Sequence, residues 1–200
     1  MARDMGPVLK RCRSLGVDPM VLGINKKSNR TNARAGKKVS EYGLQLREKQ
    51  KAKFIYGVLE KPFRNNFEKA QKIKEGTTGD NMLVLLELRL DNVMFRLGYA
   101  RTRKEARQIV GHKHVLVNGK CVNIPSYQVK AGDVISICEK GKNKGAQRYK
   151  DIFEVTEGRT VPSWLEADHE NLTGKVVEIP SRDVIDVPVN PTLIVELYSK

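Results

Sequence analysis

Cysteine is scarce in this chain, and the three present, Cys12, Cys121 and Cys138, form no C-x-x-C pair. That spacing argues against a structural zinc site. The odd count points to reduced thiols rather than a disulfide framework. Cys121 and Cys138 read as small buried side chains in strands. No apolar run approaches the ~20 residues of a membrane span. Met1 to Arg13 has no apolar core of its own, so no secretory signal is read there and a cytoplasmic protein is expected. Walker A, G-x-S-x-G and H-E-x-x-H motifs are missing. His112 and His114 flank Lys113 at the start of a strand, but no third ligand accompanies them. They read as surface or phosphate-contacting histidines, with no metal and no cofactor. Aromatics make up only 6% of the residues, too few to stack single-stranded bases. This favours recognition of a folded RNA by shape and backbone.

What the chain does have is positive charge. The formal net charge is +14 and is unevenly spread. Residues 1–75 hold 19 Lys and Arg against 7 Asp and Glu, residues 76–150 hold 14 against 6, and residues 151–200 hold 4 against 10. A basic body should meet a polyanion. No basic amphipathic helix ends in exposed aromatics, which disfavours a membrane surface. The acidic end, with Glu166, Asp168 and Glu170, is expected to face solvent or a basic protein.

Met1 to Val39 reads as a basic arm with too few periodic apolar residues to order itself without phosphates. From Ser40 a helical stripe is expected through Tyr42, Leu46, Phe54, Ile55, Val58 and Leu59, weak around Lys49 to Lys51. Pro62 suits the first turn of a second helix carrying Phe63, Phe67, Ala70 and Ile73. Asp80 or Asn81 is expected to cap a third, and Arg89 to Leu97 continues as a fourth helical piece. Arg89-Leu90-Asp91 resembles the catalytic triplet of pseudouridine synthases. It lies in a helical apolar pattern with no large sheet after it, so Asp91 reads as a surface residue near a helix start.

The densest signal is Thr102 to Val122. Thr102 and Glu105 have capping-box spacing. Ala106, Ile109 and Val110 repeat at helical spacing. Arg103, Lys104 and Arg107 are expected largely on the solvent side, so removing their charge should spare the fold. His114–Val117, the Asn118-Gly119 type I′ turn and Lys120–Asn123 form a hairpin, and Val134 to Glu139 a further strand. A helix N-terminus with Arg103 and Lys104 in its first turn suits phosphate. Gly141 to Lys150 is a second basic segment. Val161 to Glu166 is expected to dock Trp164 in a turn or short helix, and Val176, Val177 and Ile179 to form a short strand. Asn190-Pro191 can start a last helix with Leu193, Ile194, Leu197 and Tyr198 on one face, with strand as the alternative.

The run RLDNVMFRLGYARTRKEARQIVGHKHVLVNGKCVNIPSYQVKAGDVISI resembles the RNA-binding domain named after small-subunit ribosomal protein four. MARDMGP, SEYGLQLREKQKAKFIYGVLEKPFRNNFEKA, PSWLE and LIVELYSK resemble bacterial members of that family. The resemblance covers nearly the whole chain. It implies a non-enzymatic, cytoplasmic constituent of the 30S subunit that binds 16S rRNA early, nucleates the body of the subunit, and lines the mRNA entry channel. It also implies contacts with small-subunit proteins five and three and a part in translational accuracy. Some members bind zinc through four cysteines in the arm; only Cys12 is present here, so this reads as a zinc-free variant.

The expected fold is α+β. Domain limits are read as a basic arm (1–39), a helical domain (40–90, with 180–200 packing back on it), an RNA-binding domain of two helices on a short antiparallel sheet (91–155), and an acidic connecting segment (156–179). RNA-binding candidates are Arg3, Lys10, Arg11, Arg13, Arg34, Lys37, Lys38, Arg47, Lys49, Lys51 and Arg64 in the first half. In the small domain they are Arg101, Arg103, Lys104, Arg107, His112, Lys113, Asn118 and Lys120. Two other readings are a free-standing ribosome-associated RNA-binding factor and an RNA-modifying enzyme. The factor would not need the long helical segment, and the enzyme would need a catalytic domain that the leftover segments do not supply.

Overall fold

The computed structural model describes residues 6–26, 28–30 and 39–199. These divide into two units: the described part of Met1–Leu83 with Asp186–Lys200, and Val84–Ile185.

The first unit is helical. Helix α1 (Val8–Leu15) stops at Gly16, whose φ of 67° is the left-handed conformation that a residue without Cβ adopts most readily. Ser40 caps α2 (Glu41–Tyr56) as its hydroxyl accepts from the Gly43 N–H at 3.2 Å. The apolar stripe differs from the expected one. Gln45, Ala52, Ile55 and Tyr56 are buried, whereas Tyr42 and Leu59 are exposed. The helix runs unbroken through Lys49–Lys51 and ends at Gly57, which shifts the stripe. Helix α3 (Glu60–Gln71) carries Pro62 in its first turn and buries Phe63, Phe67 and Ala70. It stops before Ile73, which stays exposed.

The cap of α4 (Thr78–Glu87) is Thr77, not Asp80 or Asn81. Its hydroxyl accepts from the Asp80 N–H at 3.2 Å and donates to the Asp80 carboxylate at 2.6 Å. The final segment, read as helix or strand, is helix α8 (Pro191–Tyr198). Asn190 accepts from the Thr192 N–H at 3.0 Å, and Pro191 takes the first position. Of the four apolar positions expected on one face of α8, only Ile194 is buried. Helix α8 packs on α2. Tyr198 reaches α3, its ring 4.6 Å from that of Phe67. A Cβ on Gly79 would lie 2.8 Å from Pro191 Cβ, so this close approach requires glycine.

The second unit is a five-stranded antiparallel sheet backed by helices. Strands β1 (Val115–Val117), β2 (Lys120–Cys121), β3 (Val134–Ile137), β4 (Leu165–Asp168) and β5 (Thr173–Val176) lie in the order β2-β1-β3-β5-β4. Helices α5 (Leu90–Arg96), α6 (Arg103–Gly111) and α7 (Glu139–Thr156) complete it. Asn118 and Gly119 have φ of 50° and 76°, as the expected type I′ turn requires. Alternation buries Val115, Val117, Ile135 and Ile137 on one face against Leu90, Met94, Leu97, Ile109, Val110, Tyr149 and Ile152. A Cβ on Gly174 would lie 2.6 Å from Leu97 Cδ1, so β5 needs glycine where it crosses α5's end.

One expectation is corrected in this unit. Residues 156–179 are not a connecting segment: β4 and β5 extend the sheet, and Trp164, Leu165 and Val176 enter its core. The acidic Glu166 and Asp168 alternate with these apolar positions and stay exposed. Trp164 is docked in a turn, one of the two forms expected, and strand β4 follows it. The basic segment from Gly141 falls inside α7.

Candidate nucleic-acid interface

Helix α6 is fixed at its N-terminus by reciprocal capping. The Thr102 hydroxyl accepts from the Glu105 N–H at 3.2 Å, and the Glu105 carboxylate accepts from the Arg101 N–H at 2.9 Å. Glu105 also takes hydrogen bonds from the guanidiniums of Arg101 and Arg148, each at 3.1 Å. Burial raises the Glu105 carboxyl, but these hydrogen bonds and the Arg101 charge outweigh it and hold the group below the usual range. The same contacts raise the Arg101 guanidinium. Glu105 therefore sets two arginines around the positive end of the helix.

The first turn of α6 departs from expectation. Arg103 is buried, 7% exposed. Its Nε donates to Asn92 Oδ1 at 2.7 Å, and its guanidinium lies 4.2 Å from the Phe95 ring centre. Asn92 in turn donates to the Glu87 carboxylate at 2.7 Å, and Arg96 donates to both oxygens of that carboxylate at 3.1 and 2.8 Å. Asp91 is buried too, not a surface residue: Arg89 grips it with bonds of 3.1 and 2.7 Å. Arg107 is half-buried, 3.5 Å from Asp91. Arg103 and Arg107 thus join α5 to α6 from the inner side. Position explains this, because residues 103, 106 and 110 fall on the same helical stripe.

The solvent side of α6 carries Lys104, Gln108 and His112 at spacings of four, followed by Lys113 at the turn into β1; all are exposed. Lys113 sits at φ 63° in a helix-ending turn, closed by the His114 N–H to Ile109 carbonyl bond at 3.3 Å. Lys120, the residue after the hairpin turn, is also exposed. Asn118 is committed to structure: its Oδ1 accepts from the Val134 N–H at 2.9 Å and its Nδ2 donates to Asp133 at 2.8 Å. Arg148, exposed beside Glu105, lies in the second basic segment but is absent from the RNA-binding candidates read from the sequence. Its link to α6 spans 43 residues and leaves no local trace.

In the helical unit, Lys10 and Arg64 are exposed, and Arg64 pairs with Glu68 at 3.3 Å. Arg11 lies over the Phe54 ring at 5.2 Å, and Arg13 donates to the Ser28 hydroxyl. Arg47 is half-buried. Lys49 and Lys53 clasp Glu60 at 2.9 and 2.6 Å, and Lys51 pairs with Glu48 at 2.5 Å. Burial raises the Glu60 carboxyl, but hydrogen bonds from Lys53, Lys49 and Tyr198 outweigh it and hold it at about 2. Candidates Arg3, Arg34, Lys37 and Lys38 lie outside the described residues. Among the described residues, no group of three or more His, Cys, Asp or Glu is placed to hold a metal ion. No helix among them is long and apolar enough to cross a membrane.

Two family models match consecutive stretches: the ribosomal protein S4/S9 N-terminal domain over residues 3–87, and the S4 domain over residues 88–135. Full-length relatives are each named small ribosomal subunit protein uS4. The one from Lachnoclostridium phytofermentans is 82% identical over 200 residues, with 100% of both chains covered. Those from Lachnospira eligens and Fusobacterium nucleatum are 71% and 51% identical, again over 100% of both chains. The chain belongs to the uS4 family. In this uS4 chain the S4-domain match takes in the capped helix α6, the hairpin β1–β2 and the start of β3. The sheet continues beyond that match through β4 and β5.

Proposed function

We propose that this chain is a structural constituent of the small ribosomal subunit in the bacterial cytoplasm, without enzymatic activity of its own. In this reading it binds 16S rRNA early and nucleates the body of the subunit. It contributes to the mRNA entry channel and, with small-subunit proteins five and three as neighbours, to decoding accuracy. The observation that supports RNA binding most directly is the exposed row Lys104–Gln108–His112–Lys113, with Lys120 on the adjoining hairpin and Arg101 and Arg148 at the positive end of α6. Rigid cations beside a helix N-terminus recognise phosphate and fix register along an RNA backbone. The half-buried cations Arg47, Lys49 and Lys51 contribute less, since Lys49 and Lys51 already neutralise Glu60 and Glu48.

Binding of the purified chain to a 5′-domain fragment of 16S rRNA, with tRNA as competitor, tests this reading. Tight binding that survives excess tRNA is expected. Binding abolished by tRNA would overturn it. Stoichiometric recovery in salt-washed 30S subunits is expected of a constituent, and recovery well below one copy per subunit would instead indicate a transient factor.

A further inference from the structure

We propose that Cys121 and Cys138 form a two-thiolate site for a soft d10 metal ion, Cu(I) or its redox-silent analogue Ag(I), on the outer face of the sheet. Sequence reading placed both as buried strand residues, but Cys121 is exposed and Cys138 half-exposed. The ladder explains why. Cys121 pairs with Leu116, and the Cys138 N–H bonds the His114 carbonyl at 2.9 Å, continuing the β1–β3 register. Val115, Val117, Ile135 and Ile137 take the core face, so Cys121, Cys138 and His114 share the opposite one.

Cys121 sits on β2 and Cys138 one residue past β3, the two strands that flank β1, yet their thiols converge. Each Sγ lies 3.6 Å from the same atom, the carbonyl oxygen of Lys113. The sulfurs are therefore no more than about 7 Å apart. The left-handed turn at Lys113 sets that carbonyl between them. A linear sulfur–metal–sulfur unit with bonds of about 2.3 Å spans under 5 Å, inside that bound. Among the described residues no third His, Cys, Asp or Glu completes the cluster, which disfavours tetrahedral zinc and suits an ion content with two soft ligands. On binding, two S–H bonds break and two metal–sulfur bonds form. Two protons leave to solvent, the Lys113 carbonyl loses both donors, and no oxidation state changes.

The test is titration of the reduced full-length chain with Ag(I) alone, followed by native mass spectrometry and by alkylation of each cysteine mapped by peptide mass. One tightly held metal that protects Cys121 and Cys138 together, leaving buried Cys12 as it is without metal, is expected. Cys121→Ser and Cys138→Ser should each weaken binding by more than about 100-fold, beyond the roughly 10–100-fold that outer-shell changes cost. Independent protection of the two cysteines, binding of two ions, or unchanged affinity in either variant would overturn the proposal. The protection pattern is read on the wild-type chain, so it stands even if a variant folds poorly.

Discussion

Arg103 and Lys104 are neighbours with the same charge and opposite roles. Arg103 is held by Asn92 and Phe95 inside the second unit, and Lys104 stands on the exposed side of α6. Truncating Arg103 strands Asn92 Oδ1 in a buried site, so Arg103→Ala is expected to cost about 2–4 kcal/mol in urea unfolding. Lys104→Ala should change stability by less than about 0.5 kcal/mol and act on RNA affinity instead. Equal stability losses for the two would contradict this assignment. At this scale the capping pair Thr102 and Glu105 and the turn Asn118-Gly119 were legible, because local backbone needs dictate those residue types. The burial of Arg103 and Asp91 was not, since charge argues for solvent and their partners come from other helices. The stripe 103, 106, 110 was the available clue.

Elements with clear ends were readable, and those without were not. Ser40, Thr102 and Asn190 marked three helix starts that the structure bears out. Helix α7 was hidden by Gly141 and Gly145 within a run of polar residues, both poor helix formers or breakers of periodicity. Strands β4 and β5, four residues each, are too short for alternation to stand out.

Lys113 ends α6 in a conformation that suits glycine, so Lys113→Gly is expected to stabilise the protein by about 0.5–1 kcal/mol while lowering RNA affinity. A loss of stability in thermal melts would count against the turn described here. Glu60 joins α3 to α2 through Lys49 and Lys53 and to α8 through Tyr198. Its carboxyl lies at about 2 against an ordinary 4.5. The stabilisation is complete above pH 4.5 and is lost as pH falls toward 2. Glu60→Gln should flatten that part of the stability–pH curve, and an unchanged curve would refute the link.

For the whole molecule, charge and chain order carry the argument. The first 150 residues are strongly basic and the last 50 acidic, yet the acidic stretch supplies two strands to the same sheet as the cationic hairpin. Composition alone suggested a separate acidic segment; apolar residues at alternate positions override it. The helical unit closes with residues from both ends of the chain: α2 pairs with α8, in the segment expected to pack back on the helical domain.

Phosphate contacts release counterions, so affinity for rRNA should fall steeply with salt, and each contacting cation removed should lower the slope of log affinity against log salt by about 1. The most direct measurement is that slope for the 5′-domain fragment of 16S rRNA, wild type against Lys104→Ala/Lys113→Ala/Lys120→Ala. The account predicts tight, tRNA-resistant binding by the wild type and a slope lowered by about 2–3 in a variant of unchanged stability. An unchanged slope and affinity would place the RNA contact elsewhere and contradict the interface described here.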